Sequence, residues 1–224
     1  MAEPVIVVSG LPRSGTSMMM RLLEAGGLEV IADNLRQADE DNPNGYYEFE
    51  RVKSLKEDRT WLYHAQGKVV KMVSMLLYEL PSDLGYKIVF MRRDLDEICA
   101  SQRVMLGRKG EEPGSGGEEM SKLYSSHLLE IESWLAKQQN MEVLYMNYNE
   151  IMENSAVSVE EINAFFDNKL SVDRMKSVVD KSLYRQRRVH APAAPCCGPV
   201  QQENRDRDQE REVIEAHLKS LGYM

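Results

Sequence analysis

The chain has 224 residues, 42% of them hydrophobic, which is enough for one sizeable core, so a single domain spanning 1–224 is expected. A formal net charge of −8 excludes a nucleic-acid surface as the main business, because a polyanion needs a basic footprint. Three cysteines, Cys99, Cys196 and Cys197, give neither a disulfide framework nor a four-ligand zinc site; they suit a reducing cytoplasm. The opening MAEPVIVVSG lacks the basic region of a signal peptide, and no apolar run approaches the ~20 residues that cross a bilayer.

In chain order, Pro4 to Ser9 is a continuous β-branched run that stops at Gly10, the pattern of a central parallel strand buried on both faces. After the loop LPRSG, good helix formers from Thr16 to Ala25 end at Gly26-Gly27. Residues 33–50 are polar and turn-rich, too long for an idle connection. A second helix is expected over Val52–Ala65, a short strand over Lys68–Val73, a helical turn over Leu76–Leu80 and a strand over Tyr86–Met91. A helix from Asp94 to about Met105 precedes Gly107–Gly117, whose glycines predict a mobile surface loop. Helix Glu118–Gln138, strand Val143–Asn147 and helix Val157–Phe166 follow, and a Pro- and charge-rich tail after Tyr184 leads to a last helix ending near Leu221. Alternating strands and helices imply an α/β protein with a mainly parallel sheet between two helical layers, its ligands at the carboxyl ends of the strands.

Gly10-Leu11-Pro12-Arg13-Ser14-Gly15-Thr16-Ser17 has the spacing of a phosphate-binding loop, with glycine first and sixth and a hydroxyl residue eighth. Position seven, a lysine in nucleoside triphosphatases, is Thr16, and the basic residue comes earlier as Arg13. Glycines let the backbone approach an anion, and the N–H groups opening the next helix supply donors and a favourable dipole. From inside the turn Arg13 can reach the bridging oxygen on which charge grows during cleavage. Met18, Met19 and Met20 are read as core filler. His64, His127, His190 and His217 have no motif context.

The segment SGLPRSGTSMMMRLL resembles the 5'-phosphosulfate loop of the P-loop-like sulfotransferase family, in the version with arginine rather than lysine that protein-tyrosine sulfotransferases carry, and the chain as a whole resembles bacterial-type members. KIVFMRRDLDEICAS resembles the family's 3'-phosphate motif, mapping onto Arg93 and Ser101, and VLYMNYNEIMENSAVSVEEINAFF resembles its later strand-and-helix stretch. The likeness covers roughly Pro4 to Phe166. It implies a P-loop-like α/β architecture and 3'-phosphoadenylyl sulfate as donor, with adenosine 3',5'-bisphosphate as product and no metal requirement. Pro12, Arg13, Ser14, Gly15, Thr16 and Ser17 would hold the 5' side and Arg93 and Ser101 the 3'-phosphate. The family closes a late basic loop over the nucleotide; SLYRQRR offers Tyr184, Arg185 and Arg187, with Arg188, for that duty or is simply a solvated basic stretch.

Where cytosolic members keep Lys-Thr-His at a strand end, this chain has Lys71-Met72-Val73, so the lysine remains and the histidine base is gone. Other branches of the family use a glutamate, so the resemblance directs the search for a carboxylate base to the connection after the first helix, among Asp33, Asp39, Glu40, Asp41, Glu48 and Glu50. Glu48 is preferred, because a partly buried acid between Tyr47 and Phe49 suits a general base better than a solvated one. Arg13, Glu48 and Lys71 form the expected catalytic set, and Tyr46 and Tyr47 either shape an acceptor pocket or pack. The acceptor hydroxyl or amine stays open among small molecules (a phenol), carbohydrates, lipid head groups and peptide tyrosines. A P-loop kinase and a non-catalytic nucleotide-binding module are the alternatives.

Overall fold

A computed structural model describes residues 3–33, 35–36, 39, 42, 45–110, 117–180 and 207–224. Five strands, β1 Val5–Gly10, β2 Val30–Ile31, β3 Val69–Lys71, β4 Tyr86–Arg92 and β5 Met141–Asn147, form one sheet in the order β2-β3-β1-β4-β5. Every pairing in it is parallel. The register sets Val8 beside Lys71, Gly10 beside Met91 and Arg92 beside Asn147. All carboxyl ends therefore open on the same edge, which is where α/β sheets bind ligands.

The apolar run of β1 is explained by its two neighbours. Val5 and Val7 point into a core shared with Trp61, Leu76, Phe90 and Ile131, whereas Ile6 and Val8 point into a second core with Met19, Met20, Ile151 and Ile162. With helices on both faces, successive side chains of a central strand are all buried. Met19 and Met20 are core residues, as their helical setting implied.

Helix α1 (Thr16–Gly26) ends on Gly27, whose left-handed backbone lets its N–H reach the Glu24 and Leu23 carbonyls. Helix α2 (Leu95–Lys109) starts on Asp94, whose carboxylate accepts from the N–H groups of Asp96 and Glu97. Helices α3 (Gly117–Leu135), α4 (Tyr148–Glu153), α5 (Ser155–Phe165), α6 (Val172–Ser177) and α7 (Arg207–Ser220) complete the order, and α7 packs on α3.

Two sequence expectations need correction. Val52–Ala65 is not a helix but carries short 3-10 turns at Glu50–Val52 and Thr60–His64. The Asp58 carboxylate accepts from Thr60 N–H and Oγ1 and from Arg51, a local turn that competes with helical bonding. Gly107 is not in a loop, since α2 runs on to Lys109 and stops at Gly110, which has φ 73°. Residues 111–116, the rest of the expected mobile segment, lie outside the described residues. The sheet also gains an edge strand, β2, too short to show a periodicity in the sequence.

Candidate functional site

The loop after β1 is shaped by close approaches. Gly10 has φ 146°, and a Cβ there would collide with Ser14 Oγ and the Met91 carbonyl. Gly15 has φ 99°, and a Cβ there would run into the Tyr148 ring. Arg13 takes a left-handed φ of 73°, a conformation that costs a non-glycine residue about 1–2 kcal/mol and that recurs at ligand-binding turns. The first helical bond of α1 runs from Met19 N–H to the Gly15 carbonyl, so the N–H groups of Thr16, Ser17 and Met18 precede the ladder, as at any helix start. Ser14 is fully buried, and its hydroxyl has no hydrogen-bond partner among the described residues. Together these form a cradle for an oxyanion.

Helix α2 clasps the loop. Gln102 Nε2 donates to the Pro12 carbonyl at 3.1 Å, and Arg13 Nε donates to Ser101 Oγ at 2.9 Å. Arg93, at the end of β4, donates from one terminal nitrogen to the Arg13 carbonyl at 3.0 Å. Its Nε pairs with Glu97 at 2.9 Å, one helical turn on, and its guanidinium lies 4.4 Å from the Tyr148 ring centre. Asn149 in turn donates to both Glu97 oxygens at 3.2 Å. Arg93 and Ser101 are thus brought to the loop separately: the serine meets Arg13, and the arginine is oriented by Glu97 and Tyr148. Glu97 lies in the second matching segment and Tyr148 and Asn149 in the third, but nothing in their spacing reveals them as partners that orient Arg93.

Beside the loop a cleft is walled by Pro12, Thr16, Glu48, Phe49, Lys71 and Tyr223, among others. Lys71 ends β3 almost fully buried and donates to the Tyr46 carbonyl. Burial brings its ammonium down to about 8, against the opposing pull of Glu48. Glu48 Oε1 is 3.7 Å from Lys71 Nζ and 3.0 Å from Arg36. The aromatic flank expected around Glu48 forms only in part. Phe49 shares the cavity wall while packing edge-on against Trp61, but the Tyr47 hydroxyl turns away to donate to Glu24. Tyr46 is buried, supports the Arg36 guanidinium 3.5 Å from its ring centre, and donates to Asp39.

The other carboxylates are engaged elsewhere. Asp33 accepts from the N–H groups of Leu35 and Glu50, Asp39 takes the Tyr46 hydroxyl, and exposed Glu50 pairs with Lys53 at 2.9 Å. Glu40, Asp41, Tyr184, Arg185, Arg187 and Arg188 lie outside the described residues. Arg36 and Tyr223 escaped the sequence reading because neither sits in a motif; the fold alone carries them to Glu48. A second cavity opens between Ser17, Arg21, Tyr148 and Met152. No group of metal-ligating side chains occurs among the described residues, nor is any helix there long and apolar enough to cross a membrane.

These features define an α/β protein with an oxyanion-binding loop, backed by buried cations, at the carboxyl edge of its sheet. Residues 3–194 match the family model described as a sulfotransferase domain, and the chain belongs to that family. No curated protein matches it. Among solved structures it is similar to retinol dehydratase in complex with androsterone and the inactive cofactor PAP, with 17% identity, a TM-score of 0.44, and coverage of 77% of this chain and 62% of the other. It is also similar to mouse sulfotransferase SULT7A1 complexed with PAP, at 14% identity, TM-score 0.49, and coverage of 79% and 62%. A sulfotransferase from Alicyclobacillus acidocaldarius shows 14% identity, TM-score 0.46, and coverage of 77% and 83%. The chain therefore spans about three fifths of the length of the first two.

Proposed function

We propose that the protein is a sulfotransferase that moves a sulfuryl group from 3'-phosphoadenylyl sulfate to a hydroxyl or amine and releases adenosine 3',5'-bisphosphate. The observation that carries this is the meeting of the two motif segments at one loop: Arg13 bonds Ser101 at 2.9 Å, and Arg93 bonds the Arg13 carbonyl at 3.0 Å. A cradle with a positive arginine inside it and a second arginine behind it suits two phosphates borne on one nucleoside. The donor contributes an activated sulfuryl group with a phosphate as its leaving group; everything else falls to the chain.

In this reading Pro12 through Ser17 hold the 5' side, with the Ser14, Thr16 and Ser17 hydroxyls and the N–H groups opening α1 as donors. Arg93 and Ser101 hold the 3'-phosphate, and Tyr148 offers an aromatic face to the nucleobase in the second cavity. Tyr184, Arg185 and Arg187 stay assigned to the same phosphate on sequence grounds alone. Arg13 and Lys71 steady the negative charge that builds on the bridging and transferred oxygens, as preorganised cations do in phosphoryl transfer. Glu48 takes the acceptor's proton; the acceptor oxygen or nitrogen bonds to sulfur as the sulfur–oxygen bond to the phosphate breaks. A single domain in a reducing cytoplasm fits this role, with the thiol of Cys99 free and buried.

The test is calorimetric titration with adenosine 3',5'-bisphosphate and, separately, ATP with magnesium, on the wild type and Arg93→Ala. Metal-free bisphosphate binding that weakens at least tenfold in the variant is the expected result. Preference for ATP with magnesium, or binding of neither, overturns the reading in favour of a kinase-like enzyme or a degenerate module.

A further inference from the structure

The segment after α7 enters the cavity beside the phosphate loop. Leu218 and Leu221 are fully buried, and Tyr223 N–H closes back on the Leu218 carbonyl at 3.0 Å, which fixes where the tyrosine side chain goes. That side chain forms part of the same wall as Pro12, Thr16, Glu48 and Lys71. Arg36 lies 5.6 Å and Lys71 Nζ 6.0 Å from its ring centre. Arg13 and Glu48 both act electrostatically on the hydroxyl. Burial pushes this phenol up, with Arg13 and Arg36 opposing. An aromatic hydroxyl from the chain itself therefore stands among the groups assigned above to the leaving oxygen, the transferred group and the base. The ring also packs beside Met105, Leu106 and Leu221, while α7 itself is anchored by Ile214, Leu218 and Leu221 and by the ion pair from Lys56 to Glu215 at 2.9 Å.

We propose that the cleft between the β1 loop and Glu48 is an acceptor site for an aromatic hydroxyl, and that Tyr223 of this chain is its resting occupant, displaced when an outside phenol binds. This rests on the sulfotransferase reading of the site. The ring sits where cations face its π surface and its oxygen, a setting that favours a flat aromatic ring bearing a hydroxyl over a sugar. A site occupied from within for nine-tenths of the time weakens an outside ligand about tenfold, because only the open fraction can bind.

The experiment titrates 2-naphthol, and in a parallel run glucose, into wild type, Tyr223→Ala and Tyr223→Phe, all holding saturating adenosine 3',5'-bisphosphate. Tyr223→Ala is expected to bind 2-naphthol about tenfold more tightly than wild type, Tyr223→Phe to gain far less because its ring remains, and glucose to bind none of them. Equal 2-naphthol affinity in wild type and Tyr223→Ala, or a preference for glucose, overturns the proposal while bisphosphate binding keeps the donor site standing. Loss of bisphosphate binding in Tyr223→Ala alone also overturns it, by making Tyr223 part of the donor site; absence of bisphosphate binding in the wild type defeats the underlying reading instead. On the wild type itself, nitration of Tyr223 by tetranitromethane is expected to rise when 2-naphthol is added, and an unchanged rate counts against displacement.

Discussion

Replacing Lys71 by methionine should make the protein more stable at neutral pH while disabling it. The ammonium sits at the end of β3 with 7% exposure, and burial brings it from 10.5 to about 8. A shift of that size corresponds to about 3 kcal/mol by which the fold disfavours the charged form. Because the folded value is depressed, that cost is fully present below about pH 8 and is relieved as pH rises toward the unfolded value. Methionine keeps the volume of the stem and drops the charge. It also leaves the Tyr46 carbonyl without its lysine donor, at a cost of about 1 kcal/mol, while Glu48 keeps Arg36. The net gain is about 2 kcal/mol, or roughly 4–8 °C in Tm for a chain of this size. Urea unfolding of both proteins at about pH 7 and about pH 10 is the assay, read as midpoints at unchanged m. The variant's advantage should shrink at the higher pH, where the native lysine is neutral. A variant less stable than wild type at pH 7 would refute the reasoning, because it would mean that Glu48 and the carbonyl more than offset the burial of the charge.

Three further outcomes are expected. Glu48→Gln should lower turnover about 10²–10⁴-fold and leave bisphosphate affinity within twofold, since a base acts on the acceptor and not on the nucleotide; joint loss of both would recast Glu48 as a structural partner of Arg36. Gly15→Ala should cost roughly 2–4 kcal/mol, from a left-handed backbone and a Cβ driven into the Tyr148 ring, and its effect in a Tyr148→Ala background should fall by at least 1 kcal/mol; additive losses would show that the ring does not feel that atom. His127 is buried with its Nε2 2.8 Å from Ser74 Oγ, and burial, aided by Arg211, lowers it to about 4. It must stay neutral in the fold, so stability should fall by about 2 kcal/mol between about pH 7.5 and pH 5, a loss that His127→Gln abolishes in pH-dependent denaturation.

The parallel sheet and its carboxyl-edge site were legible because their signals are local. A β-branched run ending in glycine, then PRSG and a helix, forces a turn that exposes N–H groups, and the resulting register carries Lys71 and Arg93 to the same edge. What stayed hidden depends on distant segments. Asp58 breaks the helix expected over 52–65 through bonds to Thr60 and Arg51 that leave the hydrophobic spacing untouched. Glu48 was singled out among several acids by its aromatic neighbours, yet the contacts that set its environment come from Arg36 and Lys71, 12 and 23 positions away. Tyr223 lies beyond every matching segment, and only the docking of α7 on α3 directs it toward the loop.

Whole-chain charge misleads at such a site, and the reason is geometric. With a formal charge of −8 the protein as a whole repels a nucleotide carrying phosphates, and salt weakens that repulsion over about 8–10 Å. Within the cleft the balance inverts: parallel strands end together, and Arg13, Arg36, Lys71 and Arg93 are drawn from four segments to one edge. Two carboxylates, Glu48 and Glu97, stand among them, and each is held by an arginine at 2.9–3.0 Å. Such fixed pairs keep the guanidinium groups aimed before any ligand arrives, so little reorganisation is left for binding. An arginine in a bidentate setting does not tolerate lysine, because a point charge on a flexible stem cannot keep both the Glu97 pair and the bond to the Arg13 carbonyl. Arg93 thus joins the loop to α2 through its shape as well as its charge, and the loop's conformation at Arg13 depends on that link.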